Sequence, residues 1–217
     1  MMKPILTCAV LVAGALSLGA DKGGWAHRTY EVTFTNITHG VVLTPPIFAL
    51  SPRQIDVFEV GEPASLALEK LAEGGITDDL RAEWEQIGLH DVVQTMDPVP
   101  PGQSITVELT GNHFSRLNLA SMLLPTNDGY VAMNGPRAFQ RLGKTTTYLM
   151  AYDAGTEVND ELCTSIPGPH CGGEGFNADG GEGFVVHHPG IHGEGDLSRQ
   201  SYNWGEPVAK VTVRVSR

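Results

Sequence analysis

The chain of 217 residues is predicted to be all-β, a sandwich interrupted by a short helical insertion and a long Gly/His-rich loop. Two patterns predict it. Three segments alternate apolar and polar residues with period two, which is the spacing of a strand with one dry and one wet face. A further segment, residues 117–124, is mostly apolar on both parities, as a central strand covered on both faces is.

In residues 29–36, Tyr30, Val32 and Phe34 share one face and Glu31, Thr33 and Thr35 the other. Between Glu62 and Gly88 the pattern changes to helical. Pro63 suits a first helical position, Leu68, Leu71 and Ala72 share a face, and Gly74-Gly75 ends the turn. Thr77 is placed to cap a second helix whose first turn carries Asp78 and Asp79, with Leu80, Trp84 and Ile87 as its apolar stripe. This pair is expected to cover an open end of the sheets. The stiff turn from Asp97 to Gly102 leads into residues 104–110, where Ile105, Val107 and Leu109 oppose Thr106 and Glu108. Residues 131–133 and 145–152 are further strand candidates, and Val211, Val213 and Val215 alternate in the last segment. Residues 172–196 hold too much glycine for a regular element and read as a long surface loop.

Residues 1–20 read as a secretory signal. Lys3 supplies the positive start, residues 5–18 are apolar apart from small residues, and Ala20, with Ser17 as the alternative, offers a cleavage point. The apolar run falls short of the roughly 20 residues of a spanning helix, and too little apolar sequence precedes Cys8 for a lipid anchor. No second apolar segment follows, so residues 21–217 are expected to form one secreted or periplasmic domain without a transmembrane segment. Cleavage removes Lys3 and no acid, leaving 13 basic residues against 25 acids and a formal charge of −12. That balance argues against nucleic acid as a partner, which requires a basic stripe. It also argues against tight binding to anionic membranes unless a cation bridges the two surfaces. Cys163 and Cys171 then remain, and in an oxidising compartment they are expected to pair. Asn36-Ile37-Thr38 matches a glycosylation sequon, which carries little weight in a chain of bacterial character.

Two apolar stretches each run into an aspartate turn: Ser121 to Leu124 into Pro125-Thr126-Asn127-Asp128-Gly129, and Tyr152 into Asp153-Ala154-Gly155-Thr156-Glu157. Both aspartates could simply make Asx turns. Brought together at one end of a sandwich, their carboxylates need a cation. Calcium suits such oxygen donors and tolerates irregular geometry. Asn127 could add an amide oxygen, and Glu157 or Asp160 a further acid. A rival centre is His187, His188 and His192, with His170 beside the cysteines, as an imidazole site for zinc, copper or nickel. Pro189 and Gly190 rule out a regular helix that would align His188 with His192. No Gly-x-Ser-x-Gly elbow, His-Glu-x-x-His, phosphate loop or dinucleotide fingerprint occurs. An enzyme is therefore not expected.

The run Ala120 to Val131, the later Tyr152-Asp153-Ala154-Gly155-Thr156-Glu157, and the closing strand over residues 208–215 resemble the spondin domain, the F-spondin and mindin N-terminal-type module, in a stand-alone bacterial secreted form. Residues 30–38 with Pro45-Pro46 look like that family's opening strand and turn. The resemblance spans nearly all of residues 21–217. It implies an antiparallel C2-like β-sandwich holding one calcium ion at the loop end. Carried over, the ligands are Asp128, Asp153 and the upstream acid Glu108, which requires a one-residue shift before residue 117. No thrombospondin-type repeat follows, so the matrix and heparin functions of such repeats do not transfer. The expected role is an adhesion or binding module for an extracellular or cell-surface protein or glycan. The alternative is a transition-metal (Zn2+ or Cu2+) or enzymatic domain centred on His187, His188 and His192.

Overall fold

A computed structural model describes residues 27–176 and 180–217, so the expected signal segment lies outside the described residues. In chain order the elements are β1 (Arg28–Asn36), β2 (Val42–Leu43), β3 (Ile47–Ser51), α1 (Leu66–Gly74), α2 (Asp78–Gln86), β4 (His90–Gln94), β5 (Ser104–Gly111), β6 (Arg116–Leu124), β7 (Gly129–Met133), β8 (Gly143–Leu149), β9 (Ala151–Asp153), α3 (Gly168–Cys171), β10 (Val186–His187), α4 (Arg199–Tyr202) and β11 (Ala209–Ser216), with a 3₁₀ turn at Arg137–Gln140. They form two antiparallel sheets, one ordered β5-β1-β11-β8 and the other β10-β9-β7-β6-β3-β4, with β2 also paired to β6. The all-β expectation holds.

Alternation decides which side chains meet between the sheets. Tyr30, Val32 and Phe34 of β1 and Val211, Val213 and Val215 of β11 face Phe48, Leu50, Leu117, Leu119, Leu123 and Val131 of the second sheet. Each fully buried large apolar side chain of this kind contributes about 1.5–3 kcal/mol. Ile105 and Val107 are only partly buried because β5 lies at the sheet edge. The opposite face of β1 and β5 is wet, and Thr33 and Thr106 bond there across the strands at 2.9 Å.

The second sheet is buried on both faces, as residues 117–124 suggest, and the reason is the helical pair. Leu68, Leu71, Leu80 and Trp84 pack on Ile47, Ala49, Ala120, Tyr130 and Ala132. The helices therefore cover the outer face of this sheet, not an open end. Alanine at 49, 120 and 132 leaves room for the helix surface there. Ser65 is the N-cap of α1, its hydroxyl accepting from Leu68 N at 3.2 Å, so Pro63 precedes the helix instead of opening it. Thr77 caps α2 by position only; its hydroxyl accepts from Gln94 Nε2 at 2.9 Å. Ile87 is 41% exposed and leaves the apolar stripe.

Residues 145–152 do not form one strand. The chain leaves the first sheet after Leu149 and joins the second at Ala151, because Lys144 and Thr146 face water on an edge whereas Ala151 and Asp153 are buried. The glycine-rich segment likewise carries more order than a loop. Val186 and His187 pair with Asp153 and Tyr152, and Val185 exchanges backbone bonds with Gly61 and Glu62. Cys163 and Cys171 form the expected disulfide. Closing so short a loop contributes about 2–3 kcal/mol in the chain-entropy picture. Among the described residues, no helix is long and apolar enough to cross a membrane. Asn36 of the sequon is buried, its amide donating to Val41 O and Val99 O at 2.8 Å each, so the folded chain offers no free amide there.

Candidate functional site

The β6–β7 turn is built by its own side chains. Thr126 Oγ1 donates to Leu123 O and accepts from Gly129 N at 3.0 Å, which closes the turn and directs Asp128 inward. β9 enters beside it: Gly129 pairs with Asp153, and Ala154 N donates to Asp128 O at 3.2 Å. Two aspartates 25 positions apart in the chain thus become neighbours, both fully buried.

Their partners are unequal. Asp128 Oδ2 accepts from Thr156 N at 2.8 Å and Glu157 N at 3.1 Å, whereas Oδ1 finds no donor among the described residues. Asp153 Oδ1 accepts from Gly155 N at 2.7 Å, an Asx turn, and Oδ2 accepts from Asn159 Nδ2. Burial pushes the Asp128 carboxyl up to about 8, and the negative charges of Asp153 and Glu157 add to that, against the pull of its backbone bonds. Asp153 is raised as well, first by burial, and its charge acts directly on the Asp128 carboxyl beside it. Two carboxylates cannot donate to one another. Either a shared proton or a cation must satisfy the pair.

Glu157, 3% exposed, belongs to the same buried acidic neighbourhood. It does not complete a tight three-acid cage: among the described residues only Cys163, His170 and Cys171 place three such donor atoms within 4.8 Å of one another. The donor set at the aspartates is hard oxygen, and an orphaned buried carboxylate oxygen fits a calcium ion better than a soft metal.

Other expected ligands are elsewhere. Glu108 sits on the exposed face of β5, opposite Glu31 in the first sheet, and is not brought to the aspartates. Strand alternation, which puts it in water, is the reason. Asn127 is occupied, its oxygen accepting from Glu161 N at 3.2 Å and its nitrogen donating to Asp160 at 3.0 Å. That bond also turns Asp160 towards the next turn, where it accepts from Leu162 N at 2.9 Å.

The three histidines do not converge. His187 ends β10 and His188 follows it, its N donating to Ala151 O at 3.1 Å; His187 is exposed and His188 buried. The exposed His187 ring stacks on Tyr152 at 5.0 Å between centroids. His188 is buried against Gly129, accepts from Gly190 N at 3.0 Å through Nδ1, and is held neutral, its pKa lowered to about 4 by burial. With Nδ1 accepting, its proton sits on Nε2, which leaves no lone pair for a metal. His192 stands 3.7 Å from Glu161 instead.

Two features had no signal in the sequence. Glu161, buried and at φ 57°, accepts from the backbone of His192, Gly193 at 2.7 Å and Glu194 at 3.1 Å, so it pins the Gly/His segment. Asn159 braces Asp153 from six residues downstream. The segment also seals the pair: a Cβ on Gly155 would lie 2.2 Å from Phe184 O, and one on Gly181 2.5 Å from Glu157 O.

No protein-family model matches the chain and no curated protein matches it, so its resemblance to the spondin domain rests on its own residues.

Proposed function

We propose that the protein is an exported, calcium-stabilised β-sandwich of the spondin type that acts as an adhesion or binding module, with Asp128 and Asp153 as the principal ligands of the ion. The observation that carries this reading is the orphaned Asp128 Oδ1 beside the Asp153 carboxyl in a junction closed to water. A divalent cation there would replace repulsion between two buried charges with attraction to both. Glu157 is a further buried acid whose charge acts on Asp128, and backbone carbonyls are the natural completion of a calcium shell. The disulfide suits an oxidising compartment, periplasmic or extracellular.

A structural role for the ion fits the burial. Both carboxyl groups are fully enclosed, so a substrate has no route to them and general acid–base work is not open to them. The ion would tie the β6–β7 turn to the turn after β9 and present this loop end as the contact surface for a cell-surface protein or glycan. Calorimetry on chelated protein tests the reading. Calcium should bind with measurable heat and raise the melting temperature, and Asp128→Ala and Asp153→Ala should each lose both effects. Absence of heat and of any shift in melting would sink it.

A further inference from the structure

The Cys163–Cys171 disulfide lies in an open groove of about 790 Å³ that Glu174 and Asp196 also line. Both cysteines are partly exposed, and the exposed His170 places a ring nitrogen within 4.8 Å of each sulfur. The Tyr202 hydroxyl, 3.0 Å from His170 Nδ1, holds that ring against the surface. As a disulfide the two sulfurs are bonded to each other and have no thiolate to offer a metal. Reduction changes the donor chemistry completely.

We propose that this is a redox-gated site for a soft or borderline cation, closed as a disulfide and opened by a dithiol reductant. In the opening step a reductant thiolate attacks one cysteine sulfur and the S–S bond breaks. The reductant's second thiol then resolves the mixed disulfide, leaving a cyclic oxidised reductant. The protein gains two electrons and two protons. A divalent ion displaces the two thiol protons and is held by two thiolates and one imidazole, with water or an acid in the fourth position. Such ions take thiolates at about 2.3 Å, so the sulfurs need only part to about 3.8 Å. Gly172, following Cys171, has only Gly168 O near its Cβ position, at 3.9 Å, and gives the backbone room for that movement. The acids at the groove add the negative field that favours a cation. This site is independent of the buried aspartates: it draws on sulfur and imidazole, and it lies on accessible surface.

The test uses residues 21–217 in calcium-containing buffer, reduced with a dithiol, freed of reductant anaerobically and titrated with Co2+. Reduced protein should take up one equivalent and develop thiolate-to-cobalt charge-transfer bands with the d–d spectrum of a tetrahedral ion, while oxidised protein shows neither. His170→Ala, a change at an exposed residue, should weaken cobalt binding by about tenfold or more. Cys171→Ser should abolish the charge-transfer bands, and Asp128→Asn should leave them intact. Far-UV circular dichroism follows folding throughout. Equal binding by oxidised protein, no charge-transfer band after reduction, unchanged affinity in His170→Ala, or reduced protein that unfolds without taking up metal overturns the proposal.

Discussion

The buried acid pair makes a definite prediction about stability and pH in calcium-free protein. The Asp128 carboxyl is raised from its ordinary value to about 8 by burial and by Asp153. A raised acid contributes stability that is fully present below its unfolded pKa and is lost as pH climbs through the folded one. The slope is about 1.4 kcal/mol per pH unit. His188 works in the opposite sense. Its pKa falls to about 4 on burial, so its contribution is present above its ordinary value of 6.5 and is lost as pH falls below it. Between about 4 and 6.5 the His188 slope opposes that of the aspartates, and from there to about 8 the loss from the aspartate pair remains, Asp128 foremost. Over that interval Asp128 alone should cost chelated protein about 2 kcal/mol. Its melting temperature should drop by roughly 4–8 °C for a domain of this size. Calcium at a hundred times its dissociation constant should restore about 2.7 kcal/mol. Asp128→Asn keeps the shape and removes its own titration, so its chelated form should show a clearly smaller drop over this interval and no gain from calcium. Calorimetric melts at pH 6.5 and pH 8, with and without calcium, measure all of this. Equal melting of chelated wild type at the two values, or the same drop in Asp128→Asn, would refute the reasoning.

Three further outcomes follow from individual side chains. Glu161→Gln should destabilise the protein by about 2–4 kcal/mol in urea unfolding, since the amide repels one of the backbone donors that the carboxylate collects from His192 to Glu194. Gly155→Ala should cost about 2 kcal/mol or more, because φ is 68° and the new methyl meets Phe184 O; titration calorimetry should show weaker calcium binding as the seal lifts. Asn36→Ala should cost about 3 kcal/mol by removing the amide bonds to Val41 O and Val99 O together with the oxygen that accepts from Thr38 N, read from chemical denaturation.

The alternating strands were legible because burial on one face imposes a period of two that any reader of residues 29–36 or 104–110 can see. The helix ends were legible to within a few residues: Gly75 closes α1 at φ 67° as its position suggests, while Ser65 and not Pro63 starts it. Asp128 and Asp153 were visible as turn residues that one end of a sandwich could bring together, but their actual approach depends on the pairing of β9 with β7, which no local pattern specifies. Glu108 went wrong for a simple reason. Its alternation shows that it faces water, but nothing local says which sheet that water borders.

By itself the sequence determined the all-β class, the one-sided strands, the doubly covered strand at residues 117–124 and the pairing of Cys163 with Cys171, because each depends on residues close together in the chain. Tertiary structure alone decided that the helices lie on the outer face of the second sheet, that β9 seats Asp153 against Asp128, and that His187 is left exposed while His188 is buried. Those outcomes depend on register between distant segments, and a shift of one residue would turn every side chain of a strand to the other face.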